Sequence, residues 1–245
     1  SNPSASTVTV QAASANGTAS AGTDYAALAG TTVTFLAGET SKTVTVAITE
    51  DTVFEGAENY TVNLSGATGG ATIGTGTVTT VINDDGSGTT PPGTPATDDR
   101  PRVSGISSPS VNEGSPLDFV VTLSNTSNTA TTVTLSPTSG TASLGTDTAP
   151  AQVSFDGGVT FTPITGTTVS VPAGATSFIV RLPTVSDGTS EPTETLTLGA
   201  GTAQNVAPVV GTGTILDPST PVLNISGPVN VNEAAGTLTY TITLS

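Results

Sequence analysis

The chain has no cysteine, no histidine, no methionine and no tryptophan. Without thiols it cannot be stapled by disulfides, and without thiol or imidazole the usual zinc, iron and copper ligand sets are out of reach. Catalytic triads and histidine-based acid–base chemistry go with them, so no enzyme is expected. Basic residues are almost as scarce. Lys42, Arg100, Arg102 and Arg181 stand against 19 acidic residues, for a net charge of −15. That balance argues against nucleic acid or anionic membrane surfaces as partners and in favour of a counter-cation. No apolar run approaches the roughly 20 residues of a membrane span, so membrane insertion is not expected. A start methionine is also missing, and a segment of a longer protein is expected.

What is present is Thr and Ser in abundance, with 28 Gly, 17 Pro and only six Phe and three Tyr among 245 residues. Turn formers and β-branched residues dominate and no long amphipathic helical pattern is visible, so an all-β protein is expected. Short Thr/Val alternations mark strands at residues 7–11, 31–35, 42–48, 59–64 and 76–82 in the first half, with the spacing of a sandwich. Val44, Val46 and Ile48 alternate as if to face inward together. In the second half the candidates are residues 117–123, 131–135, 167–171, 177–182, 194–198 and 211–216. An extra hairpin is expected where 153–155 and 159–161 flank Asp156-Gly157, a two-residue turn signal. The internal duplication predicts a first sandwich over 1–86, a semi-rigid Gly/Pro/Thr linker over 87–101, a second sandwich over 102–218 and an opening strand over 219–245.

The acidic residues concentrate at turns, and their spacing repeats. Asp51, Glu55 and Glu58 share the pattern D-x3-E-x2-E with Asp187, Glu191 and Glu194. Each set follows a Gly-Thr-Asp, at Asp24 and Asp147, and precedes a terminal acidic group, Asp84-Asp85 or Asp217. An opening-strand glutamate completes both sets: Glu113 for the second, and Glu233, near the end of the chain, for the first. Thirteen of the 19 acidic residues belong to these sets. A single Asp in a Gly-rich loop is usually a solvated turn former. Two copies of one spacing are harder to ascribe to chance, and carboxylates at matched turns can converge at one end of a sandwich. Calcium fits such a site, because it takes six to eight oxygen ligands and needs neither nitrogen nor sulfur.

These residues resemble the Calx-beta domain. The likeness is carried by Gly22-Thr23-Asp24-Tyr25, by Phe35-Leu36-Ala37-Gly38-Glu39 running into Thr43-Val44-Thr45-Val46, by Glu55-Gly56-Ala57-Glu58-Asn59-Tyr60, and by Val81-Ile82-Asn83-Asp84-Asp85. It covers nearly all of 1–86, is looser over 102–218 and restarts at Pro221. The resemblance implies tandem immunoglobulin-like antiparallel sandwiches, strung out as extended beads. It also implies calcium at one tip of the first, on positions matching Glu233, Asp24, Asp51, Glu55, Glu58, Asp84 and Asp85. Where the strongest binders of that family carry three consecutive aspartates, this chain has Glu50-Asp51-Thr52 and Asn83-Asp84-Asp85, which suggests one or two ions per domain. The Thr/Ser/Gly/Ala bias is similar to that of the repeats in giant bacterial RTX-type surface adhesins, which implies an extracellular spacer role on the cell surface or in the matrix.

Three functions follow as alternatives. A structural calcium-stiffened stalk or fibre fits the repeats and the charge. A calcium-sensing regulatory module would require a partner surface, and no exposed Met-rich or aromatic stretch offers one. A glycan-binding or glycan-cleaving module could use paired carboxylates but would want aromatic platforms, whereas Tyr25, Tyr60 and Tyr240 read as strand or corner residues. The two ends add one further expectation. Residues 229–244 look like a first strand with nothing after it, and residues 1–10 like a second strand with nothing before it. Neighbouring copies or adjacent repeats are therefore expected to meet head-to-tail, the last strand of one completing the first sandwich of the next.

Overall fold

Alternation of small β-branched and polar residues gives the strands of this protein two unlike faces, and the faces decide how far each sheet is covered. The computed structural model describes residues 3–84, 99–188, 190–217 and 222–244. Asp85 and most of the expected linker lie outside the described residues. The chain divides into two units. One comprises Ser1–Pro101, Ser124–Thr131 and Pro172–Thr176, the other Arg102–Leu123, Thr132–Val171 and Ser177–Ser245.

The first unit contains strands β1 (Val8–Asn16), β2 (Thr31–Phe35), β3 (Glu58–Ser65) and β4 (Thr77–Ile82), hydrogen-bonded antiparallel in the order β2-β1-β3-β4. Its core is small: Ala19, Tyr25 and Tyr60 are buried, with Val46, Val62 and Ile82 packed against them. The two tyrosine rings stack with centroids 4.3 Å apart, and the Tyr25 hydroxyl donates to Asn16 Oδ1 at 2.7 Å. The strand expected at 42–48 does not form. Within that segment only Ile48 makes a bridge, to Tyr25, and Val44 and Ile48 are exposed while Val46 alone packs inward. A Val/Thr pattern supplies the faces of a strand but not the neighbouring edge that must take its backbone hydrogen bonds.

In the other unit that edge exists. Strands β5 (Val103–Ile106), β6 (Ser110–Asn112), β7 (Leu117–Leu123), β8 (Thr131–Ser139), β9 (Gln152–Ser154), β10 (Thr162–Pro163), β11 (Thr168–Val171), β12 (Ser177–Leu182), β13 (Glu194–Gly201) and β14 (Val209–Leu216) form two five-stranded sheets. Their orders are β10-β9-β12-β7-β5 and β11-β8-β13-β14-β6. Leu117, Phe119, Val121 and Leu123 alternate inward along β7, and Val180 and Leu182 along β12. Opposite them lie the buried Val133, Leu135, Leu196 and Leu198 of the other sheet. This is the sandwich that the sequence spacing predicts.

The extra hairpin, β9 with β10, is present but is not closed by a two-residue turn. Thr162 pairs with Val153, and the residues between form a longer loop organised by the Asp156 carboxylate. That carboxylate accepts from the backbone N–H groups of Val159 and Thr160 and from the hydroxyls of Ser154 and Thr160. So many local donors favour a wide loop over a tight reversal. Beyond β14, strands β15 (Leu223–Ser226) and β16 (Thr241–Leu244) pair antiparallel with a 3-10 turn, Glu233–Ala235, between them. Of the single strand expected over 229–244 only Thr241–Leu244 forms, as the second arm of a hairpin, and Glu233–Ala235 within that range is a 3-10 turn. Among the described residues no helix is long and apolar enough to cross a membrane.

Candidate metal centre

In the first unit the loop before Tyr25 makes a turn at Gly22, whose φ of +101° suits glycine. The turn brings the Asp24 carboxylate back to accept the Ser20 N–H at 2.6 Å, while the Asp24 carbonyl accepts the Thr49 N–H at 3.0 Å. The Glu55 N–H donates to Asp84 Oδ2, and the Val53 N–H to Asp51 Oδ1 at 2.7 Å. Glu58 opens β3. These anchors surround a cavity of about 110 Å³ lined by Asp24, Glu50, Asp51, Glu55, Glu58 and Asp84, among others. Asp24, Glu55 and Glu58 each bring one carboxylate oxygen within 4.8 Å of the other two.

Electrostatics reflects the crowding. Burial, then the charges of Asp24, Glu58, Asp51 and Asp84, raise the Glu55 carboxyl above the usual carboxylate range. Burial, then the charge and hydrogen bond of Asp24, raise Glu58. A cluster whose members disfavour one another's ionisation is relieved by a cation, and an all-oxygen donor set suits a hard one.

The second unit repeats this construction. Gly145 turns at φ +89°, the Asp147 carboxylate accepts the Ser143 N–H at 2.6 Å, and the Glu191 N–H donates to Asp217 Oδ2 at 2.6 Å. Glu113 continues from β6, its N–H donating to the Leu216 carbonyl at 2.8 Å and its carboxylate accepting the Asp187 N–H at 3.2 Å. Glu113, Asp147, Glu191, Glu194 and Asp217 line a cavity of only about 10 Å³. Burial, then neighbouring carboxylates headed by Asp187 for Glu191 and by Asp147 for Glu194, raises both glutamates. Among the described residues, three carboxylates meet within 4.8 Å only in the first unit.

Asp24, Asp51, Glu55, Glu58 and Asp84 thus border one cavity and Glu113, Asp147, Glu191, Glu194 and Asp217 the other, while Asp187 does not line the second cavity and reaches its set through its N–H to Glu113. Glu50 also lines the first cavity, and its place beside Asp51 was the available signal. Asp85 lies outside the described residues. Glu233 does not line the first cavity; it is exposed at the start of the 3-10 turn whose cap is the Asn232 side chain.

The Calx-beta domain model matches residues 2–86 and again 98–225. The chain belongs to the Calx-beta family. It carries two Calx-beta domains in tandem, and such domains are calcium-binding modules that are typically non-catalytic. Solved structures similar to this Calx-beta chain include the calcium binding domain CBD12 of CALX1.1, at 16% identity over 80% of this chain and 68% of that one, with a TM-score of 0.32. CBD12 of CALX1.2 matches at 16% identity over 82% and 69%, with a TM-score of 0.34. The apo-form Calx CBD1 domain matches at 21% identity over 47% of this chain and 96% of that one, with a TM-score of 0.37. No curated protein matches the sequence.

Proposed function

We propose that this chain is a structural calcium-binding repeat unit of an extracellular bacterial adhesin or surface fibre. Its partners are copies of itself or adjacent repeats, met head-to-tail, with residues 229–244 of one lending a strand to the 1–86 domain of the next. The observation that carries the calcium reading is the convergence of Asp24, Glu55 and Glu58 in a cavity whose other charged lining groups are also acidic. The ion would be held by these carboxylates with Asp51 and Asp84, and in the second unit by Glu113, Asp147, Asp187, Glu191, Glu194 and Asp217. Its chemistry there is charge neutralisation and cross-linking of loops, with no reaction to catalyse. The surface-fibre reading is supported by the Thr/Ser/Gly composition, the absence of thiols and the tandem repetition.

The test is thermal unfolding of the whole chain with millimolar calcium and with chelator. A ligand at 100 times its Kd adds about 2.7 kcal/mol to the state that binds it. Glu55→Gln combined with Glu58→Gln should remove most of the calcium-dependent shift of the first unit and leave the second unit's shift in place. An unchanged shift would overturn the first site. Light scattering in calcium should show concentration-dependent assemblies; a monomer at every concentration would remove strand donation between separate copies and leave adjacent repeats of a longer chain as the partners.

A further inference from the structure

The second unit is a template for strands that have no equivalent among the described residues of the first. The order β2-β1-β3-β4 repeats β11-β8-β13-β14. Registers agree as well: Tyr60 faces Asn16 as Leu196 faces Ser139, and Glu58 faces Ile82 as Glu194 faces Ile215. On the template two further contacts complete the sandwich. Strand β6 runs parallel along β14, with Ile215 facing Val111 and Leu216 facing Asn112. Strand β7 runs antiparallel to β12, with Val180 facing Phe119 and Leu182 facing Leu117.

The corresponding edges of the first unit are residues 81–83 and 41–46, and both are uncovered. Val81 is 55% exposed and Val44 39%, and a cavity of about 460 Å³ runs between residues 31–34 and 42–45. The segment 222–244 repeats the missing pieces. Val111-Asn112-Glu113 recurs as Val231-Asn232-Glu233, and the alternation Leu117, Phe119, Val121, Leu123 recurs as Leu238, Tyr240, Ile242, Leu244. Even the pairing is kept, since Leu223 faces Leu244 as Val103 faces Leu123. Yet every residue of β15 and β16 is exposed in its own chain, with Ile225 at 69% and Ile242 at 67%. An apolar hairpin left open to water and a half-sandwich with its inner face open are complementary surfaces.

We infer that the 222–244 hairpin of a second copy of this chain completes the first unit in the register of the second unit, and so delivers Glu233 to the first acidic cavity. Residues 230–232 run parallel along 81–83, and residues 238–243 lie antiparallel to 41–46, with Tyr240 opposite Val44 and Leu238 opposite Val46. Glu233 then follows Asn232 into the cavity of Asp24, Glu55, Glu58 and Asp84, as Glu113 follows Asn112 into its own. The inference deepens the head-to-tail reading above and rests on it. It makes calcium and assembly reciprocal, because each supplies what stabilises the other. A contact that joins opposite ends of identical chains is heterologous and propagates unless a ring closes it.

The experiment uses the full chain, which has no native cysteine to interfere. Thr45→Cys with Thr239→Cys replaces the pair that matches Arg181 facing Asp118. Oxidation in calcium should give a ladder of covalent oligomers, while the off-register pair Thr45→Cys with Thr243→Cys should give little. A cross-link confined to monomer, or none, overturns docking by a second copy. In the same assay Glu233→Gln should still cross-link but need about tenfold more calcium, since site affinity follows ligand charge. Cross-linking with an unchanged calcium requirement overturns the role of Glu233 and leaves strand docking standing. If Glu55→Gln with Glu58→Gln also leaves that requirement unchanged, the calcium reading of the first unit falls instead.

Discussion

The two units carry the same strand pattern and reach different degrees of closure. Val180 and Leu182 on β12 are buried, while their counterparts Val44 and Val46 are exposed and half-buried on a segment that is not a strand. Val169 and Val171 on β11 are buried, and Val33 and Phe35 on β2 only half so. The difference does not lie in the local pattern, because both segments place apolar residues at alternate positions, Phe178, Val180 and Leu182 in one and Val44, Val46 and Ile48 in the other. It lies in β5, β6 and β7, which lie against one unit and have no equivalent among the described residues of the other. A sheet face is stabilised by what covers it, and a pattern without a cover stays an open surface.

The largest effect that could break this comparison is at the centre of the missing layer. Phe119 is fully buried, so Phe119→Ala should destabilise the second unit by about 3–5 kcal/mol in urea unfolding. Tyr240→Ala, at the matching position of the hairpin, should change the unassembled chain by under about 0.5 kcal/mol. Equal losses would mean that Tyr240 is already packed. A smaller effect concerns the strand pair that only the second unit forms. Arg181 grips Asp118 through two bonds of 2.7 Å and lies over the Phe161 ring at 3.6 Å. Both partners are about a third exposed, so Asp118→Asn should cost only about 0.5–1 kcal/mol, shrinking in high salt. A salt-independent loss would point to packing.

The smallest effect is on pH dependence in chelator. Glu55, Glu58, Glu191 and Glu194 have carboxyls raised in the folded state above their ordinary value of 4.5, so the native chain holds protons more tightly than the unfolded one. Stability of both units should therefore rise as pH falls through the raised values, and level off below 4.5. Asp156 has the opposite sign. Its carboxyl is lowered by the Thr160, Ser154 and Val159 donors, so its contribution is present above 3.8 and is lost as pH falls through the lower folded value. Glu39 of the first unit, lowered by its Lys42 partner and then by the Leu36 N–H, has the same sign as Asp156, so both units should turn downward in acid, and in melting curves from pH 7 to 2 Asp156→Asn should remove the turn of the second unit alone. Calcium should flatten the glutamate slope by holding those carboxyls ionised.

Most of the architecture was legible in the sequence because turn residues and two-residue alternation are local signals. The acidic frame was legible because it is written twice, so Asp24 and Asp147, or Glu58 and Glu194, identified each other. Residues 42–48 misled because alternation reports faces and is silent on edges. Asp156-Gly157 misled because the reach of one carboxylate to four donors is not visible in a dipeptide. Strand β15 was missed since Leu223-Asn224-Ile225-Ser226 is too short to stand apart from the loops around it.

The stacked pair of Tyr25 and Tyr60 lies one and two residues from the carboxylates of Asp24 and Glu58, and the chain has only one other tyrosine and no tryptophan. Ultraviolet emission from this protein is therefore divided between two shielded rings beside the acidic cavity and Tyr240, open to solvent on the hairpin. A soluble quencher reaches the last and spares the first two, so one cuvette can follow ion arrival and hairpin burial as separate optical signals without an attached dye.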